Sequence, residues 1–148
     1  MIVGKGNFEH YLELAFKSSG RITFTGFLQE EELNKIYSIS DLCICMSKSE
    51  QNSYVILEMM SKGLPIIISD IEAHNNEKYI DSVNVLKVPL RNQEIKSSIL
   101  LDVINKAYNN PELLKKLSIN SYKTYISHFT QNQMVSSTLQ VYSRLIEQ

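Results

Sequence analysis

Apolar positions along this chain recur with two different periods, and the periods alternate. Short apolar runs occur at Ile2-Val3, Arg21–Thr25, the stretch DLCICM from Asp41, Leu64–Ser69 and Asn84–Val88, each short enough for a buried strand. Between them the apolar residues fall at helical spacing. Phe8, Tyr11, Leu12 and Ala15 form one such stripe with Gly20 as its stop, and Leu33, Ile36 and Tyr37 form a second behind the acidic start Glu30-Glu31-Glu32. A third helix follows Glu50 and stops at Gly63. After the last strand the chain reads as helix throughout. Ile95, Ile99, Leu100, Val103, Ile104 and Ala107 share a face, and Asn110-Pro111 supplies an N-cap and first helical position for a helix reaching about Ile126. Thr130 and Gln133 fit a capping box for a final helix to about Glu147, with Val135, Thr138, Leu139, Tyr142 and Ile146 on one face. Strands alternating with helices predict an α/β fold, a parallel sheet covered on both sides.

Composition narrows the function. With 148 residues, 43% hydrophobic content and a formal net charge of −1, the chain has one domain's worth of core and the balance of a soluble globular protein. No basic run interleaved with aromatics recommends nucleic acid as a partner. Runs such as LPIII are too short to span a membrane, and no signal peptide is visible, which points to the cytoplasm. Cys43 and Cys45 alternate along a strand and face the same side. With no further ligands nearby they read as small buried thiols rather than a metal or redox pair.

The chemistry concentrates around two acids eight positions apart, Glu50 and Glu58. They flank a strand-to-helix turn, which presents unpaired backbone N–H groups and the positive end of a helix dipole, and so attracts phosphate. Eight residues of helix rise roughly 12 Å, which lets two carboxylates reach hydroxyls at either end of a ligand whose phosphates sit on the helix start. Glu58 lies between Leu57 and Met59 on an apolar helix, where a buried, paired acid is expected. His74, in the loop after the LPIII strand, reads as loop-ordering; His10 and His128 read as surface or helix-packing residues. Tyr122, Tyr125, Phe129 and Tyr142 read as packing residues.

These residues carry a resemblance. Glu50, seven residues, Glu58, and the turn Ser61-Lys62-Gly63-Leu64-Pro65 resemble the E-x7-E signature of retaining glycosyltransferases with the GT-B fold, of the group 1 or family 4 type. IVGKG at Ile2–Gly6 is similar to the glycine turn after the second strand of that family's C-terminal domain. ITFTGFLQEEELNKIYSISDLCICMS, from Ile22, resembles the segment v-x-f-x-G-f, e-e-l, y-x-x-a-D and v-P-S, and SDIEAHNNE (Ser69–Glu77) resembles the s-D-i-p-x-h-r-E loop.

The resemblance implies a three-layer Rossmann-like sheet with helices on both faces, the C-terminal half of a GT-B fold lacking its first strand. Residues 1–148 would then be a single, incomplete nucleotide-sugar-binding domain, its N-terminal acceptor-binding domain absent or separately encoded, and inactive in transfer without it. Glu50 is implied as the catalytic-site acid that binds donor-sugar hydroxyls, and Glu58 as the ligand of the ribose hydroxyls. Ser49, Gln51, Asn52, Ser53 and Tyr54 are implied as donor-binding, together with Gly4, Lys5, Gly26 and Phe27. Gln51-Asn52-Ser53 replaces the Gly-aromatic-Gly turn of many relatives, although Asn and Ser still suit a helix start. No metal or cofactor is implied beyond the nucleotide-diphosphate sugar itself, and the implied setting is bacterial surface polysaccharide synthesis in the cytoplasm or at the inner face of the membrane. Two other readings keep the fold: a non-catalytic nucleotide-sugar-binding remnant or subunit of a split enzyme, and half of a GT-B-like sugar-nucleotide epimerase.

Overall fold

A computed structural model of the chain describes residues 1–18, 21–92 and 94–146, without the side chain of His10. The expected helix stop at Gly20 and the end of the last helix at Glu147 lie outside the described residues. The chain divides into two compact units, Met1–Ile39 and Ser40–Gln148.

The first unit holds β1 (Ile2–Val3), α1 (Glu9–Lys17), β2 (Phe24–Gly26) and α2 (Glu30–Ser38). β1 and β2 run parallel. Gly4 and Gly26, which both take positive φ at 123° and 68°, close this small ladder, the Gly4 N–H donating to the Gly26 carbonyl at 2.9 Å. Phe8 stacks on Phe24 with centroids 5.1 Å apart. The apolar stripe of α1 is only partly buried. Ala15 is buried, but Tyr11 and Leu12 are exposed. Strands of two and three residues offer little surface against which a helix can bury its face. α2 starts on a device that the acid run concealed: Glu32 Oε2 accepts from the Gln29 N–H at 3.1 Å, one arm of a capping box.

The second unit holds β3 (Cys43–Cys45), α3 (Tyr54–Ser61), β4 (Ile66–Asp70), a 3-10 turn over Glu72–His74, β5 (Leu86–Pro89), α4 (Ser97–Tyr108), α5 (Pro111–His128) and α6 (Gln131–Ile146). Its three strands are parallel in the order β3-β4-β5, with Cys43 opposite Ile66 and Ile67 opposite Leu86. The fold is thus built of parallel sheets with helices on both sides, as the alternation of periods predicts.

β4 is the middle strand, and Ile66, Ile67 and Ile68 are fully buried on it. The expected strand over Leu64–Ser69 starts two residues later because Leu64 belongs to the helix stop. Gly63, at φ 64°, lets its own N–H donate to the Met60 carbonyl at 3.0 Å and the Leu64 N–H to the Met59 carbonyl at 3.1 Å. Pro65 then opens the ladder from its carbonyl, which accepts from the Cys43 N–H at 2.9 Å. The apolar face read for α4 is the one that packs: Ile95, Ile99, Leu100, Val103 and Ile104 surround a core of Ile67, Leu86, Val88, Ala107 and Leu117. Asn110 caps α5, its Oδ1 accepting from the Leu113 N–H at 3.0 Å, with Pro111 at the first position. α6 begins with the Thr130 hydroxyl accepting from the Gln133 N–H at 3.3 Å, yet none of its described residues is buried.

Candidate functional site

The candidate residues fall into one cluster per unit. In the first unit, Gly4 and Gly26 are hydrogen-bonded neighbours, and the Lys5 ammonium sits 5.0 Å from the centroid of the exposed Phe27 ring. A cation over an aromatic face at that distance is attractive, so Lys5 is not freely solvated.

In the second unit, the loop between β3 and α3 carries Glu50 through Ser53 at the carboxyl edge of the parallel sheet, the edge where ligands bind in open α/β sheets. α3 begins only at Tyr54, so Glu50 lies in the loop and the helical-rise spacing of the two acids does not apply. Ser53 occupies the cap position and is buried, but its side chain makes no cap hydrogen bond, and no acid stands in the first turn. By contrast, α2 has three acids in its first turn. The start of α3 therefore has neither a Ser53 side-chain cap nor a first-turn acid to offset its positive dipole end, although the Ile56 N–H is already donated to the Ser53 carbonyl at 3.1 Å.

Glu58 corrects a second expectation. α3 buries Ile56, Met59 and Met60, whereas Glu58 is exposed on the face it shares with Tyr54 and Val55. The helix is amphipathic with a partly apolar outer face, so apolar sequence neighbours do not signal burial for Glu58.

A cavity of about 110 Å³ opens beside the loop, lined by Glu50, Gln51, Asn52, Ser53, Ala73, His74, Asn76, Lys78, Tyr79 and Phe129. Ser49, Tyr54 and Glu58 are not among its lining residues. Its far wall escaped the sequence reading apart from His74. Tyr79 stacks on Phe129 at 5.9 Å, and the Lys78 ammonium sits 5.4 Å from the same ring. Burial pushes the Tyr79 phenol up to about 12, so it is neutral and able to donate at physiological pH. His74 is buried and its Nδ1 donates to the Ser69 carbonyl at 2.8 Å, the loop-ordering contact read from its position. Its Nε2 has no hydrogen-bond partner among the described residues. The wall is fixed from behind by buried Asn84, whose Oδ1 accepts from the Ile80 N–H and whose Nδ2 donates to the Lys78 carbonyl and the Thr124 hydroxyl, each at 2.8 Å. Acceptors, amides, a phenol, a cation and an aromatic face around so small a volume suit a polyhydroxylated group rather than an apolar one. Among the described residues no group of three or more His, Cys, Asp or Glu could hold a metal ion, and no helix is long and apolar enough to cross a membrane.

Residues 1–105 match the family described as glycosyl transferases group 1. The chain belongs to that family. Among the relatives of this group 1 domain, alpha-D-kanosaminyltransferase of Streptomyces kanamyceticus is 26% identical over 124 residues, covering 82% of the chain and 31% of that protein. O-antigen chain mannosyltransferase C of Escherichia coli is 24% identical over 151 residues, covering 99% of the chain and 40% of that protein. The group 1 domain thus spans about a third of the length of these two relatives. The crystal structure of Anabaena HepE in complex with UDP-glucose superposes with a TM-score of 0.72 at 22% identity, over 94% of the chain and 40% of that protein, and shares the fold.

Proposed function

We propose that the chain is the donor-binding part of a glycosyltransferase and holds a nucleotide-diphosphate sugar. In this reading the diphosphate rests on the start of α3, Glu50 accepts hydroxyls of the sugar, and Glu58 accepts the ribose hydroxyls. Ser49 and Gln51 through Tyr54 shape the loop around the phosphates and sugar. The observation that carries the reading is the start of α3, free of side-chain caps and acids, in the same loop as Glu50 and its polar cavity. Its likeness in fold to a protein crystallised with UDP-glucose supports a uridine or related nucleotide. In the transfer, the bond from the anomeric carbon to the diphosphate breaks and one to an acceptor hydroxyl oxygen forms, with the acceptor proton lost and the anomeric configuration retained. Positioning and stabilisation of the departing diphosphate supply the catalysis. The acceptor is held by a further domain, and the relative that extends O-antigen chains supports a role in bacterial surface polysaccharide synthesis.

Calorimetry with UDP, GDP and their sugars tests this. Glu58→Ala weakens the bare diphosphate by about 1–3 kcal/mol, the scale of hydrogen bonds to a charged group. Glu50→Ala weakens the sugar nucleotide and leaves the bare diphosphate nearly unchanged. Equal losses for both ligands in both variants would refute the assignment of roles, and absence of binding by the unaltered chain would refute the site.

A further inference from the structure

Glu50 stands five residues beyond β3 in an irregular loop, where a long carboxylate side chain is ordinarily free to sample several rotamers. Here it is tied. The Ser47 hydroxyl donates to Glu50 Oε1 at 2.7 Å. Ser47 is tied in turn by its own backbone: its carbonyl accepts from the hydroxyl of Ser69, a fully buried residue in β4. β3 and β4 pair in register up to Cys45 and Ile68, and the Ser69 hydroxyl extends the connection just past the last ladder pair. Beyond Ser69 the chain of contacts continues. Its carbonyl accepts from His74 Nδ1 at 2.8 Å, and the His74 carbonyl accepts from the ammonium of Lys87, on β5, at 2.8 Å. The Glu50 carboxylate is thereby referenced, through Ser47, to the buried middle strand.

We propose that Ser47 is a positioning residue for Glu50, with Ser69 as its anchor. The Ser47 hydroxyl has one proton, and it is spent on Oε1; Cys45 Sγ, 3.8 Å away, is left to donate to the serine oxygen. Oε2 is then the oxygen presented to ligand hydroxyls, in one orientation. Holding an acceptor in its bound geometry before the ligand arrives removes an ordering cost from binding, and it orients the sugar for transfer. The proposal rests on the donor-sugar reading of Glu50, and its test separates the two.

Ser47→Thr keeps the hydroxyl, Ser47→Val matches threonine in shape without it, and both are measured by calorimetry against UDP, GDP, UDP-glucose and GDP-mannose. For whichever sugar nucleotide binds, threonine retains most of the affinity and valine lowers it roughly tenfold, the lower end expected for a lost bond to a charged group. The bare diphosphates bind both variants equally, and in a Glu50→Ala background the valine effect vanishes. Valine and threonine binding the sugar nucleotide alike would overturn the proposal. Should no nucleotide bind the unaltered chain, the donor-sugar reading fails, and the melting temperatures of Ser47→Val, Glu50→Ala and the double variant decide the positioning contact by themselves. A double variant that melts above the sum of the two single shifts shows the coupling, and strict additivity overturns it.

Discussion

Asn84 is the buried polar side chain that ties the loop forming the far wall of the cavity to α5, and replacing it by alanine is the sharpest way to perturb that wall. Asn84 is 3% exposed and makes three hydrogen bonds of 2.8 Å, to the Ile80 N–H, the Lys78 carbonyl and the Thr124 hydroxyl. At about 1 kcal/mol net for each bond between neutral groups, Asn84→Ala destabilises the chain by about 3 kcal/mol, less where water enters the space and replaces a partner. That is a large share of the ~5–15 kcal/mol by which native domains are stable. Asn84→Asp gives no relief. A carboxylate keeps the acceptor for Ile80 but turns a second oxygen toward the Lys78 carbonyl, and the Thr124 hydroxyl already donates to the Asn120 carbonyl at 2.8 Å. Urea unfolding followed by far-ultraviolet circular dichroism measures both variants. A loss below about 0.5 kcal/mol for alanine, the level of ordinary surface substitutions, would refute the claim that Asn84 holds this wall.

Three further outcomes are expected. Gly63→Ala places a Cβ at φ 64° and costs about 1–2 kcal/mol in urea unfolding through the left-handed conformation; the 3.6 Å approach of the new methyl to Tyr122 Cβ is ordinary contact, so an effect under half that range would count against strain as its source. Stability falls with alkali from about pH 9: burial raises the Cys43 thiol from 9.0 to about 11 and the Tyr79 phenol from 10.0 to about 12, so the unfolded chain releases both protons first and stability, complete below pH 9, declines through about pH 12. A urea midpoint unchanged between pH 8 and 11 would contradict this. Leu117→Ala, at a fully buried position of the core, lowers stability by about 2–5 kcal/mol by the same measurement, and a loss under 1 kcal/mol would place Leu117 outside that core.

The fold was legible wherever period and punctuation agreed. The α4 stripe, the Asn110-Pro111 start and the Gly63 stop are local signals, set within a turn or two of helix, and each appears where the sequence places it. What escaped the sequence reading is mostly long-range. Ser69 reaches Ser47 across 22 positions and Asn84 reaches Thr124 across 40, and no periodicity encodes such pairs. Phe129 joins the cavity from the end of α5, where the sequence offers only helix packing. The apolar neighbours of Glu58 suggest burial, whereas the angular position of Glu58 on α3 puts it on the outer face with Tyr54. The α1 stripe shows the converse: helical spacing marks an apolar face, but what covers that face depends on neighbouring elements the stripe does not specify.

The two cysteines of β3 have a practical consequence. They face the same side, but burial holds the Cys43 thiol protonated up to about pH 11 and shields it, whereas Cys45 is only half-buried at the strand's end. Thiol reagents act on the thiolate, so alkylation at neutral pH proceeds at Cys45 ahead of Cys43. A fluorophore or spin label introduced under mild conditions therefore lands at one place, two residues from Ser47 and within reach of its hydroxyl. The chain carries a built-in attachment point beside the Glu50 loop, so ligand arrival can be followed with such a reporter without introducing a new cysteine.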